Sequence, residues 1–344
     1  MLIRVLFLLM GFCSNLFAVK EFAEQALDPP ARPTSVKIGV QLLNIVSIEP
    51  ASTENPTLTA RFQVKIQWTD KRLIEPGMPD GLVRRYQDEE ATKKLDQIFD
   101  PQVRILEGIF NIDHQYLSIF SDGLVVLSQL ATVIIGAKMS LLQFPFDTQN
   151  FNFRFASTHW DKNAVALAMD PLAMGLSENA SPESWHFDYF TYHLSEVEAR
   201  LQNEYVSVFN YLAHGQRDPY SFLWRLLIPL MMMVLLSWTS FWIYEDTAST
   251  LGNCILFLLT VVTFHQLADS MLPMIPALTF LDAIVFLSYG YIIIPTFELM
   301  LSAKLKYLGK PELVEDIRDY CRWLVPGSFV LILLGATFIY FARG

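Results

Sequence analysis

The stretch LGNCILFLLTVVTFHQLADSML, Leu251 to Leu272, decides how this chain folds. Its 22 residues, at a helical rise of about 1.5 Å each, cross a hydrocarbon core of about 30 Å. It is too polar for a helix surrounded by lipid. Thr263, Gln266 and Ser270 fall on one face, with His265 and Asp269 beside it. The same face continues through Leu259, Leu256 and Gly252. At roughly 100° per residue these six positions occupy an arc of about 80°. Polar groups at membrane depth face a bundle interior or water. The stripe therefore reads as a pore lining with a leucine constriction. A buried helix of a transporter or multi-pass anchor is the alternative.

Three further apolar segments surround it: Ser221–Ile243, Ala277–Leu301 and Trp323–Phe341. Arg225 lies near the start of the first, where its head can snorkel to the interface. Pro229 and Pro295 fall inside predicted spans, which membrane bundles tolerate. The connection after the third segment carries Lys304, Lys306, Lys310, Arg318 and Arg322; the one before it carries no Lys or Arg. The positive-inside rule then predicts 302–322 in the cytoplasm and 273–276 outside. That orientation fits an exported N-terminal part.

Met1 to Ala18 reads as a secretory signal, with Arg4 before the apolar run VLFLLMGF. Leu16 is larger than the usual small residue before the cut, so an uncleaved anchor is the alternative. Residues 19–219 form the exported domain and 220–344 the membrane domain. In the former, Leu58, Ala60, Phe62, Val64, Ile66 and Trp68 alternate with polar neighbours, which predicts a half-buried strand. Val36, Ile38, Val40 and Leu42 repeat the pattern, as do Phe151, Phe153 and Phe155. Short strands punctuated by Pro, Gly and Asp predict an all-β, immunoglobulin-like sandwich. Asp88 to Gln97 reads as a short surface helix.

Composition agrees: 52% hydrophobic, only 17% charged and a formal charge of −10, which suits a membrane protein and disfavours nucleic acid as a partner. Cys13, Cys254 and Cys321 are the only cysteines. Residues 19–253 therefore hold no disulfide and no thiolate metal site. No HExxH, GxSxG or phosphate-binding glycine loop occurs, and the six histidines show no metal-ligand spacing. The chain is predicted not to be an enzyme, with no metal and no cofactor. A membrane-tethered periplasmic sensor or enzyme is the rival class. A transporter is the second rival, disfavoured by four spans without a detectable repeat.

A sandwich followed by four helices, the second amphiphilic, resembles the pentameric ligand-gated ion channels, the Cys-loop receptor family. Phe144-Pro145-Phe146-Asp147 with Gln149 is similar to the family's FPFD loop. The two cysteine places that bracket it, thirteen residues apart, hold Ala137 and Phe151. The spacing is kept without the disulfide, as in bacterial members. Trp68-Thr69-Asp70 resembles the WxD signature, Phe99-Asp100-Pro101 the WxP turn, and Asp122-Gly123 a glycine turn. Leu272-Pro273 ends the pore helix as that family does.

The resemblance implies a homopentamer in the cell (inner) membrane, with its N-terminal domain in the periplasm or outside. Leu256 and Leu259 would form the gate within the pore lining of Gly252, Leu256, Leu259, Thr263, Gln266 and Ser270. The family usually has polar residues at the places of Gly252 and Leu256, so the inner pore is more apolar here. Glu245, Asp246 and Asp269 would make acidic rings favouring permeant monovalent cations. The reading of these three as interfacial carboxylates stays open. The coupling junction would comprise Glu49, Phe146, Asp147, Arg217 and Pro273. A small-molecule agonist would bind between subunits, at places that hold Gln63, Leu106 and Thr158, with Trp160, Tyr192 and Tyr205 as nearby aromatic candidates. Protons are a rival stimulus, given His159, His186 and His193.

Overall fold

The computed structural model describes residues 27–48, 56–74, 79, 81–182, 184–199, 204–242, 247–271 and 279–342. Eleven strands form among the described residues: β1 (Thr34–Ile48), β2 (Thr57–Thr69), β3 (Val83–Gln87), β4 (Val103–Ile105), β5 (Ile109–Phe120), β6 (Leu124–Gly136), β7 (Thr148–Ser157), β8 (Val165–Met169), β9 (Gly175–Leu176), β10 (Trp185–Ala199) and β11 (Glu204–Arg217). One sheet runs β3-β5-β6-β2-β1-β8, with β9 beside β1; the other runs β10-β11-β7-β4. Only β8 and β9 pair parallel to β1.

The alternation in β2 is what closes the sandwich. Its apolar set, Leu58 to Trp68, is buried, and its polar set faces out or sits half-exposed. Phe62 meets Phe153 of the opposite sheet edge to face at 4.6 Å and Tyr211 at 5.7 Å. The Tyr211 hydroxyl donates to the Gly175 carbonyl at 2.7 Å, so the buried phenol keeps a partner. Helix α1 (Asp88–Leu95) lies where DEEATKKL predicts it, burying Ala91 and Leu95.

Beyond Arg217 the chain is helical: α2 (Tyr220–Trp242), α3 (Thr247–Met271), α4 (Phe280–Tyr307) and α5 (Pro311–Ala342). All four contain stretches long and apolar enough to cross a membrane. In α2 the turn Leu223–Leu227 is π-helical and sits just before Pro229, the kind of wide turn that absorbs a missing N–H. Helix α4 packs against α2, α3 and α5. Their shared core includes Val234, Trp238, Val261, Ile284, Ile292 and Phe329.

The helix ends differ from the apolar segments. Helix α4 runs on to Tyr307 and α5 starts at Pro311, so most of 302–322 is helical rather than connection. Apolarity marks the part that meets lipid, whereas backbone hydrogen bonding continues through Lys304 and Lys306. The turn itself falls at Gly309, whose φ of +73° suits a helix stop.

Candidate pore and coupling site

The described part of the predicted stripe, from Gly252 to Gln266, lies within the wider face of α3 that is exposed in the protomer. Leu259 is 62% exposed and Leu256 58%, whereas Cys254 and Val261, half a turn round, are 2% and 0% exposed. Gly252, Thr263 and Gln266 are exposed as well. The exposed sector also takes in Ile255, Val262 and Leu267 on the flanks. Ile255, Leu256, Leu259, Val262 and Leu267 are large apolar side chains, so this wide sector is unfinished in a single protomer. The Thr263 hydroxyl donates to the Leu259 carbonyl at 3.0 Å. Ser270 and Asp269 lie on the last turn of α3, where only the backbone is described. Glu245, Asp246, Glu49 and Pro273 fall outside the described residues.

The junction between strands and helices is built on Asp147 and Arg217. Asp147, 2% exposed, accepts from Arg217 Nε at 2.8 Å and from its terminal nitrogen at 3.2 Å. Two parallel bonds are the strong form of this pair. Gln149 Nε2 donates to Asp147 Oδ2, the oxygen that also accepts from the Arg217 terminal nitrogen, at 2.7 Å, and its amide also exchanges bonds with the Ser140 backbone. The guanidinium lies 4.3 Å from the Trp185 ring and 5.0 Å from that of Phe144. An aromatic cage thus replaces the water that the arginine loses. Phe144 packs edge-on against Phe222 at the start of α2, and Phe146 packs against Phe280 of α4 and Phe341 of α5. The Phe280 N–H donates to the Leu142 carbonyl at 3.0 Å. One loop, Leu141 to Asp147, therefore touches three of the four helices.

The six ligand candidates do not share one face. Gln63 is exposed on β2, in the larger sheet. Tyr192 packs into the core beside Phe190 and Phe209. Trp160 is half-buried, with its indole N–H donating to the Asp100 carbonyl at 3.0 Å. Thr158 is exposed and bonded to the Gln102 carbonyl, and Leu106 is half-buried beside β7. Tyr205 is exposed under Lys162, whose ammonium is 5.1 Å from the ring and 2.7 Å from Glu196.

Residues 19–213 match the family model of the neurotransmitter-gated ion-channel ligand binding domain. The chain belongs to this family. It is 22% identical over 333 residues to a proton-gated ion channel of Gloeobacter violaceus, covering 94% of this chain and 89% of the relative. It is 24% identical over 265 residues to the gamma-aminobutyric acid receptor subunit rho-3 of Homo sapiens, covering 75% of this chain and 55% of the relative. The gamma-1 subunit of Rattus norvegicus is 26% identical over 272 residues, with 77% and 57% covered. The chain thus spans about half the length of these receptor subunits.

As a member of this ligand-gated channel family, the chain is a multi-pass membrane protein with an extracellular N-terminal domain, and it is not an enzyme. Its channel part contains polar contacts that spacing alone could not reveal. His265 of α3 meets Tyr289 of α4, with Nδ1 to the phenol oxygen at 3.0 Å. Glu298 of α4 accepts from Ser302 at 2.6 Å and from Arg318 of α5 at 3.4 Å, all three buried. Ser302 lies one turn after Glu298 on α4, whereas His265–Tyr289 and Glu298–Arg318 join residues too far apart in sequence to leave a local pattern. The cage of Phe144, Trp185 and Phe222 around Arg217 was invisible for the same reason.

Proposed function

We propose that the protein is a pentameric ligand-gated channel preferring cations, opened from the extracellular domain and closed by rings of Leu256 and Leu259. The observation that carries this reading is the exposed stripe of α3, set opposite its buried face. Around a fivefold axis, Leu259 would meet its copies in a narrow apolar ring, which stops ions by dewetting. Thr263, Gln266 and Ser270 would wet the outer mouth. The proposed chain order is an export signal at 1–18, a ligand domain at 19–219 and the channel domain at 220–344.

The cation preference rests on charge. No Lys or Arg occurs between Leu226 and Ala303, while Glu245, Asp246 and Asp269 flank the pore helix. Fivefold repetition turns these into acidic rings that concentrate cations. Glu49, Phe146, Asp147, Arg217 and Pro273 would pass the signal from strands to helices. The stimulus would act between subunits, on the face carrying Gln63 of one copy and Trp160 or Tyr205 of another. Relatives named for protons and for gamma-aminobutyric acid supply the two stimuli to try first.

Electrical recording from the reconstituted protein tests this reading, with acid and small amines applied from the extracellular side. Reversal potentials in a salt gradient should report cation preference. Glu245→Gln with Asp246→Asn should reduce that preference or the conductance severalfold. An anion-selective wild type would overturn the charge argument.

A further inference from the structure

Outside the pore stripe and the junction, one arginine joins α5 to the end of α2 that lies away from the strands. Arg322 Nε donates to the Phe241 carbonyl at 3.2 Å, and its guanidinium lies 4.7 Å from the Trp242 ring. Its terminal nitrogen donates to Asp319 at 2.6 Å, and the Arg322 side chain is 15% exposed. Phe241 and Trp242 close α2 in a 3-10 turn, Thr239–Trp242. The last carbonyls of a helix have no donor within it. An arginine there supplies the donor, and its charge suits the negative end of the helix.

The stretch of α5 that carries Arg322 is itself held. One turn earlier, the buried Arg318 donates to Glu298 of α4 at 3.4 Å, and Ser302 donates to the same carboxylate at 2.6 Å. Arg322 thus reaches α2 from a fixed frame. On its other side, the end of α2 touches the pore helix. The Cys254 thiol shares hydrogen bonds with Ser240 of α2 and Thr296 of α4. Ser240 adjoins Phe241, and Cys254 is two residues before Leu256. Two residues turn about 200° round a helix, so Cys254 is 2% exposed where Leu256 is 58% exposed. A chain of contacts therefore runs from Arg322 through Phe241, Ser240 and Cys254 to the back of the inner leucine.

We propose that Arg322 is a positioning residue for the inner mouth of the pore, holding Gly252 and Leu256 back from the axis through the end of α2. Leu256 side chains gathered round an axis attract one another, because contact removes apolar surface from water. The bond to Phe241 and the contact with Trp242 oppose that movement. They tie α2, and with it the buried face of α3, to α5, whose span is the least buried of the four. Arg322 touches no permeating ion; it acts through Phe241, Ser240 and Cys254. This inference deepens the channel reading above and rests on it.

The test uses full-length protein, in lipid nanodiscs for hydrogen exchange and in planar bilayers for currents. Arg322→Gln removes the charge and the flat guanidinium fork. The amides of Leu251 to Ile255 donate into the first turn of α3; their exchange should quicken about tenfold in this variant. Exchange at the amides of Val261 to His265 should stay as in wild type. Single-channel conductance should fall about twofold, and the permeability of dimethylammonium relative to sodium, read from reversal potentials, about threefold. A narrower mouth moves that ratio, whereas a smaller number of folded channels does not. Arg322→Lys keeps a donor without the fork. It should fall between Arg322→Gln and wild type in both readings, and it carries the comparison if Arg322→Gln does not assemble. Asp319→Asn should change neither, since Asp319 is 69% exposed. Wild-type exchange at Leu251 to Ile255 in Arg322→Gln, or an unchanged permeability ratio in a conducting variant, would overturn the assignment. A protein that conducts under no condition would instead count against the channel reading and leave the exchange result to decide the role of Arg322.

Discussion

Leu259 is placed by two counts, its position on the polar stripe and its distance before Leu272-Pro273, and the structure exposes it on the protomer. Serine there shortens the side chain and adds a hydroxyl, which wets a ring that works by excluding water. A change of about 0.5 kcal/mol in each of five subunits sums to about 2.5 kcal/mol, roughly seventyfold if additive. Leu259→Ser is therefore expected to raise basal current or agonist sensitivity and to slow closing. Leu258→Ser is the control, since that side chain packs against the bundle core; its expected effect is on stability alone. At the junction, Arg217→Ala leaves the buried Asp147 without its cation, a loss of about 3 kcal/mol in comparable pairs. Pentamer yield should hold while current falls at least tenfold, and Arg217→Lys should restore only part of it. Normal currents from Arg217→Ala would show that the pair is not needed for opening. The stripe was legible because a helix repeats its face every three to four residues. The charges of Asp147 and Arg217 were legible only through resemblance. Their aromatic cage was not legible at all, because Phe144, Trp185 and Phe222 come together from three separate elements.

At the scale of elements, period-two alternation located β1, β2 and β7, where one face meets the core and the other meets water. The ends of α4 and α5 were misjudged, since lipid contact and helical hydrogen bonding stop at different residues. The turn between α1 and β4 shows what sequence leaves hidden. Burial holds the Asp100 carboxyl above its ordinary range, against the opposing pull of the Gln102 N–H and Arg104. A raised value means that the folded state binds this proton more tightly than the unfolded state. The charged carboxylate therefore destabilises the fold at neutral pH, and the penalty fades as pH falls through the folded value toward the unfolded one. Asp100→Asn keeps an oxygen for the Gln102 N–H, which lies 2.9 Å from Oδ1. Thermal melts should show Asp100→Asn a few degrees more stable than wild type at neutral pH, with the gap closing in acid. A variant less stable at neutral pH would contradict this assignment.

For the molecule as a whole, the protomer leaves the wide apolar sector of α3 exposed. The proposed arrangement of five copies around an axis would cover it, and a detergent-solubilised particle of five subunits is the expected mass. The order of a sandwich before four spans was legible from hydropathy and alternation. The partners of each face were not, because a single sequence does not state which exposed residues meet a second copy. The most direct measurement compares charged methanethiosulfonate applied from outside to Thr263→Cys and to Val261→Cys during current recording. Thr263 lies on the exposed stripe and Val261 is fully buried in the bundle. Modification should change the current through Thr263→Cys channels and leave Val261→Cys and wild type unaffected. A current altered through Val261→Cys and not through Thr263→Cys would mean that α3 does not line a pore with the face assigned here.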